Sequence, residues 1–253
     1  MALLRPEHLD ADQLTYRIFG SGRDNAPWRT ADVLGSIPFT GDPARAQLGW
    51  QLASRGYYAE QAGLVAAASL AAATDDTALR FSLATAAADE ARHADAFYRY
   101  AVAVGGEPEE CRDEVQPLDD GLEALPYLGK VLVHTMLEGF AADEFLILRD
   151  VFADDPLGRL YHHIRRDEIR HVAIGLNYLT RTSATAEGRQ AWRESGPEWT
   201  AIGLALTNLA GAARWLAGLT RRDPEAVHGW FLRRHRARLV AAGIEPTEGG
   251  DRR

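Results

Sequence analysis

The chain has 253 residues, 46% apolar and 25% charged, which is long and apolar enough to bury a full core and excludes disorder for most of its length. Its formal net charge of −8 leaves no basic footprint for nucleic acid or an anionic membrane as the main partner. The lone cysteine, Cys111, excludes an internal disulfide and a cysteine-based metal site.

Residues 1–41, with Pro6, Pro27, Pro38 and several glycines, read as an irregular N-terminal arm holding at most one short helix. From Asp42 onward the pattern is helical. Asp42-Pro43, Asp155-Pro156 and Asp223-Pro224 each place an Asp N-cap before a first-turn proline. Long runs of Ala, Leu, Arg and Glu follow each signal. The expected helices span 43–72, 75–104, 124–153, 156–181, about 185–219 with a break or kink at Pro197, and 223–242. Residues 107–120 read as an acidic loop and 244–253 as a frayed tail. With no alternating strand pattern, the fold class is all-α, an antiparallel bundle in a single domain over 1–243. Residues 198–219 are apolar enough to raise a membrane span. Asn208 and Arg214 inside the segment, and the lack of anchoring flanks, favour a buried bundle helix.

Two strings match closely: Asp89-Glu90-Ala91-Arg92-His93 and Asp167-Glu168-Ile169-Arg170-His171. In each, Glu and His at i and i+3 share one helical face. Thirty residues before Glu90 lies Glu60, and thirty before Glu168 lies Glu138. One offset of 78 therefore relates three pairs: Glu60 to Glu138, Glu90 to Glu168, and His93 to His171. That is an internal repeat of a helical hairpin. Within each hairpin the two Glu are equidistant from the turn, which sets all six groups at one level, roughly 22 Å of helix from the turns.

The companions of these residues are of core type. Tyr57 and Leu64 flank Glu60, and Leu83, Ala86 and Phe97 flank Glu90. Ala141 and Phe145 flank Glu138, and Ile164 and Val172 flank Glu168. Four unpaired carboxylates buried there would cost many kcal/mol or stay protonated. Two divalent cations resolve the conflict, four charges against four, with two neutral imidazoles completing the set. A Glu and His donor set suits iron or manganese.

On these motifs the sequence resembles the ferritin-like superfamily, in its O2-activating di-iron carboxylate branch. That branch includes multicomponent monooxygenase hydroxylases, the ribonucleotide reductase small subunit, aldehyde-deformylating oxygenases and arylamine N-oxygenases. The resemblance covers about residues 43–181. It implies a ferritin-like four-helix bundle with additional C-terminal helices at 185–242. It also implies two Fe ions, with Mn as an alternative, ligated by Glu60, Glu90, His93, Glu138, Glu168 and His171. The implied activity is oxidation of a small organic substrate by O2: hydroxylation, desaturation, N-oxygenation or cleavage. A ferroxidase, or a radical-storing Mn/Fe protein, is the alternative. In the branch, the Asp before the ligand Glu accepts a hydrogen bond from a metal-bound His of the opposite hairpin. This would pair Asp89 with His171 and Asp167 with His93, with Arg92 and Arg170 neutralising the aspartates.

The chain departs from named relatives at several positions. Phe97 stands where the reductase has its radical tyrosine, Ala142 where the hydroxylases have a threonine, and Ile164 where the arylamine N-oxygenases have an extra histidine. His163 lies one residue from that last position. His134, four residues before Glu138, has Gly56 as its repeat counterpart and reads as a further ligand, a proton donor or a packed histidine. Tyr100 and Tyr178, seven residues after the two motif histidines, are relay candidates or packing residues. No heme, flavin or NAD motif occurs, so electrons are expected from an external reductase or ferredoxin. The first residues turn acidic too early for a secretory signal, giving a cytoplasmic expectation. A homodimer stays open. Lys130 is the only lysine, an arginine bias typical of GC-rich bacterial genomes, and specialised metabolism is the expected setting.

Overall fold

A computed structural model describes residues 12–24 and 28–244, apart from the side chains of 114, 115, 118 and 119. Ten helices run through the described residues: α1 (Leu14–Asp24), α2 (Thr30–Leu34), α3 (Pro43–Ala73), α4 (Thr77–Val104), α5 (Arg112–Glu123), α6 (Tyr127–Val151), α7 (Pro156–Ser183), α8 (Ala186–Leu206), α9 (Leu209–Thr220) and α10 (Pro224–Ala241). No strand occurs among them. The expected tail lies almost wholly outside the described residues.

Local chemistry sets the helix starts. Asp42, Asp155 and Asp223 each accept a hydrogen bond from a first-turn amide, with proline at the first helical position. Asp76 caps α4 in the same way, accepting from the Leu79 amide at 2.9 Å. Asp155 does more than cap. It is fully buried, and besides Leu157 N it accepts Tyr100 Oη at 2.8 Å and Thr40 N at 3.0 Å. It thereby ties the start of α7 to α4 and to the segment before α3.

The hairpins α3–α4 and α6–α7 pack on each other through α4 against α7 and α3 against α6. This is the ferritin-like four-helix bundle. One apolar cluster runs from Val33 to Ala242 through all four helices and the C-terminal additions. Helices α8 and α10 lie against α6 and α7, and α9 pairs with α10. Asp143 on α6, fully buried, accepts from Arg234 and Arg238 of α10 at 2.6 Å each, which fixes that attachment.

Four expectations are corrected. The N-terminal arm is not irregular in its described part: α1 and α2 form there. Thr15 of α1 is fully buried, receives Ser82 Oγ on its carbonyl, and donates to Asn177 of α7. The acidic stretch 107–120 is not a loop, because α5 forms across its second half, with Cys111 and Leu122 buried. The long C-terminal helix breaks at Asn208, which adopts a left-handed conformation (φ 42°), and not at Pro197. Pro197 and Arg193, whose carbonyl loses its donor, are both exposed, so water can satisfy the freed group. Finally, segment 186–220 is long and apolar enough to cross a membrane. It is nevertheless two helices, and only 28% of its most apolar window is buried, so it covers the bundle with one face and is not a fully buried helix.

Candidate metal centre

Mid-bundle, α3 supplies Glu60, α4 supplies Glu90 and His93, α6 supplies Glu138, and α7 supplies Glu168 and His171. None of the six is more than 7% exposed. Their donor atoms form two overlapping groups: Glu60, Glu90, His93 and Glu168 in one, Glu90, Glu138, Glu168 and His171 in the other. Within each group one donor atom from every residue lies within 4.8 Å of the others, and Glu90 and Glu168 belong to both. His93 Nδ1 lies 3.2 Å from Glu60 and 3.1 Å from Glu168. His171 Nδ1 lies 2.9 Å from Glu90, 3.0 Å from Glu168 and 3.5 Å from Glu138.

Both imidazoles turn Nδ1 toward the carboxylates and Nε2 away. His93 Nε2 meets Asp167 Oδ2 at 3.2 Å, and His171 Nε2 meets Asp89 Oδ2 at 3.3 Å. Each aspartate serves the histidine of the other hairpin. Arg92 bridges both aspartates, at 2.6 Å from Asp89 and 2.7 Å from Asp167. Arg170 does the same, at 3.0 Å from Asp167 and in contact with Asp89. A proton on Nε2 held by a carboxylate leaves the Nδ1 lone pair free to face an ion.

Four acids crowd this space, and the electrostatics split them two and two. Burial, then the Glu90 charge, pushes Glu60 well above the usual carboxylate range, and burial, then Glu168 and Glu90, does the same to Glu138. For Glu90, burial acts upward but the close contacts with His171 and His93 outweigh it and hold it low. Glu168 is likewise brought down to about 2, its contacts with Glu138 and His171 overcoming burial and the Glu90 charge. Burial acts downward on His93 and His171, yet the surrounding carboxylates raise both well above the usual imidazole range. Buried Glu90 Oε1 and Glu168 Oε1 make no hydrogen bond although imidazole nitrogens lie 2.9 and 3.1 Å away. Several carboxylate oxygens crowd each Nδ1, more than one ring proton can serve, and that crowding fits a pair of divalent cations.

The remaining candidates divide. His134 is 5% exposed, and its Nε2 lies 3.0 Å from Glu138 Oε1 without forming a hydrogen bond. Burial lowers it to about 4, so it is a neutral imidazole at the edge of the cluster. The other three are not brought to the cluster. His163 packs against Trp28 at 5.6 Å between ring centroids, Tyr100 donates to Asp155, and Tyr178 stacks edge-on with Tyr127. Sequence reasoning missed Trp28. Its indole donates to Asp167 Oδ2 at 2.9 Å, lies parallel to His93 at 6.1 Å, and sits under the Arg92 guanidinium. Trp28 lies outside the repeat, so no pattern in the sequence pointed to it.

Fold and site together define a ferritin-like helical bundle with a buried carboxylate–imidazole cluster at its centre. No family model matches the chain, and no curated protein does. Solved structures do match it, among them R2-like ligand-binding oxidase variants reconstituted with a Mn/Fe cofactor. One, reconstituted aerobically, is 17% identical and covers 92% of this chain and 94% of its own, with a TM-score of 0.69. Another, reconstituted anaerobically, is 18% identical with the same coverage and TM-score. A third, reconstituted aerobically, is 18% identical, covers 92% and 95%, and has a TM-score of 0.68. At such identities the likeness speaks to the fold.

Proposed function

We propose that the protein is a two-metal oxidoreductase that uses O2 to oxidise a small organic substrate. The observation that carries this reading is the six-residue cluster in which two four-donor groups share Glu90 and Glu168. Glu60, Glu90, His93, Glu138, Glu168 and His171 would hold the ions. Two Fe ions, or one Mn and one Fe as in the solved structures it resembles, supply in such a donor set the redox chemistry that couples O2 to substrate oxidation.

The chain's own residues prepare that chemistry. Asp89 and Asp167 hold the Nε2 protons of His171 and His93, orienting both rings and raising their basicity. Arg92 and Arg170 balance the two aspartates, so four protein charges remain for two divalent ions. Leu83, Ala86, Val131 and Ile174 close the site with apolar surface and keep bulk water out. Electrons come from an external donor, since the sequence shows no cofactor motif of its own.

The test is metal analysis after anaerobic loading with Fe(II), alone and with Mn(II), followed by O2 consumption with a panel of small apolar substrates. About two ions per chain and substrate-accelerated O2 uptake are expected. Absence of stoichiometric metal overturns the reading. Growth of a mineral core would instead make iron itself the substrate, and a long-lived tyrosyl signal would make the protein a radical store.

A further inference from the structure

The outer side of α7 is basic in a chain whose net charge is −8. Arg159, His162, His163 and Arg166 follow one another at helical spacing, and Arg159, His162 and Arg166 are exposed. Arg159 and Arg166 meet no carboxylate among the described residues. The patch continues onto α6 and α10. Arg165 donates to the Ala142 carbonyl at 3.0 Å, and the neighbouring Asp143 holds Arg234, whose side chain is 40% exposed. Partial burial, then the charges of Arg166, Arg149, Arg159 and Arg165, hold His162 below the ordinary imidazole range. The arginines therefore stand close enough together to act on one ring.

At one edge of this face, between α2 and α7, an open cleft of about 260 Å³ is bounded by Trp28, Arg29, Val33, Arg159 and His163 among others. Arg29 lies 3.8 Å from Asp32, and both side chains are well exposed. His163 Nδ1 is buried and makes no hydrogen bond. The cleft thus offers two cationic heads, an unused imidazole nitrogen and the apolar surface of Trp28 and Val33. Ile169, 46% exposed, adds apolar surface one turn beyond Arg166. Apolar surface within a charged rim is the make-up of a protein docking site. The acids gather elsewhere: residues 107–123 hold eight of them against one arginine. Helix α5, in that stretch, packs on α3, α6 and α8, whereas α2 packs on α7 and α4. A negatively charged partner is therefore steered toward α7 and away from α5.

We propose that this face docks an acidic one-electron carrier protein, whose carboxylates meet Arg29, Arg159 and Arg166 and whose edge enters the cleft. The proposal rests on the two-metal reading above and gives its external donor a place and a charge. Helix α7 carries Glu168 and His171 on its inner side, so a carrier on its outer side is separated from the centre by the width of one helix, about 10 Å. Each visit oxidises the carrier by one electron and reduces one ion of the centre from the trivalent to the divalent state, so two visits restore both. Charges of this kind set the rate of encounter, and with it the salt dependence, more than the strength of the final complex.

The probe is a plant-type 2Fe–2S ferredoxin of strongly negative net charge, with a viologen radical cation as the small reductant that needs no docking. Metal content is measured for every variant. Stopped-flow reduction of the metal-loaded, O2-oxidised protein by ferredoxin is expected to slow at least tenfold between roughly 20 and 300 mM salt. Arg159→Glu combined with Arg166→Glu is expected to slow it at least tenfold at low salt, and to weaken ferredoxin binding to the protein as isolated at least fivefold. The viologen rate should stay within twofold. Arg112→Glu, in the acidic stretch, should leave all three measurements within twofold. Arg159→Gln with Arg166→Gln, which only neutralises, should give intermediate losses and still decides if the double reversal does not fold. A salt-independent rate, unchanged ferredoxin affinity in the neutralised variant, or an equal loss with viologen overturns the docking face. Capture of phosphatidylglycerol vesicles in place of ferredoxin also overturns it, the anion then being a lipid surface. Arginine-dependent ferredoxin binding to a wild-type protein that holds no metal supports the face and overturns the two-metal reading instead, a separate outcome.

Discussion

The indole of Trp28 donates to Asp167 Oδ2 at 2.9 Å, a bond that Asp89, the repeat counterpart of Asp167, lacks among the described residues. Otherwise the aspartates match: each takes one histidine of the opposite hairpin and both arginines. With His93 and Trp28 as donors, the Asp167 carboxyl is held below the usual range despite its burial. Trp28→Phe keeps the ring and removes the donor. It should lower affinity for the ion on the His93 side by about 3- to 10-fold and leave the His171 side unchanged. Asp167→Asn should cost roughly 10- to 100-fold, the usual scale for a lost partner of a ligand histidine. Competition titrations against a chelating dye would resolve the two steps. Equal weakening of both steps in Trp28→Phe would contradict the assignment.

Glu90 and Glu168 stand in both donor groups, whereas Glu60 and Glu138 each stand in one. The mutants should therefore differ in kind. Glu60→Ala and Glu138→Ala should each keep about one ion per chain, and Glu90→Ala and Glu168→Ala should lose more than one. Elemental analysis after desalting decides the point. The prediction fails if all four substitutions remove the same amount of metal.

These two predictions draw on different depths of information. The four central helices, the Asp42 and Asp155 caps and the six central residues were legible because helix period, capping and the offset of 78 are local or repeated signals. The crosswise pairing of Asp89 with His171 and Asp167 with His93 was legible only through family resemblance, since spacing alone does not say which hairpin faces which. Trp28 was not legible at all, because a contact across 139 residues leaves no local pattern. Helix α5 was hidden by its acidic composition and by Pro117 inside it, although Cys111, Val115, Leu118 and Leu122 recur at helical spacing. The break at Asn208 was misplaced to Pro197 because proline is the stronger local signal. Tertiary packing instead kept Gly196 and Trp199 buried on either side of an exposed Pro197.

Asp143 is a charge with no route to water, and it holds α10 on the bundle by accepting from Arg234 and Arg238. Removing it leaves Arg238, whose side chain is 15% exposed, largely buried without its partner. Asp143→Ala should destabilise the fold by about 3 kcal/mol, at the low end for a broken buried pair because Arg234 can turn to solvent. A fall in Tm of roughly 6–12 °C follows for a chain of this size. The metal content of the folded protein should not change, because neither arginine touches the centre. Calorimetry paired with metal analysis checks both halves, and an unchanged Tm would mean that the triad is not what secures α10.

His235, beside Asp143's partners on α10, gives stability a pH dependence of its own. The ring packs 5.4 Å from Phe140, and its buried Nε2 has no hydrogen-bond partner. Burial, reinforced by the Arg238 charge, pushes it down to about 4 from an ordinary 6.5. Between those values the unfolded chain binds a proton that the native chain refuses. Stability therefore rises with pH through this window and is lost as pH falls from about 6.5 toward 4. The loss attributable to this one group is roughly 2 kcal/mol between pH 8 and pH 5. His235→Leu fills the same space without a titrating nitrogen, so its unfolding free energy should fall less over that interval, by about the same amount. Denaturant unfolding of both proteins at pH 5 and pH 8, with metal removed from both, cancels the titration of the central glutamates and histidines. A wild-type-sized fall in His235→Leu would place the dependence elsewhere.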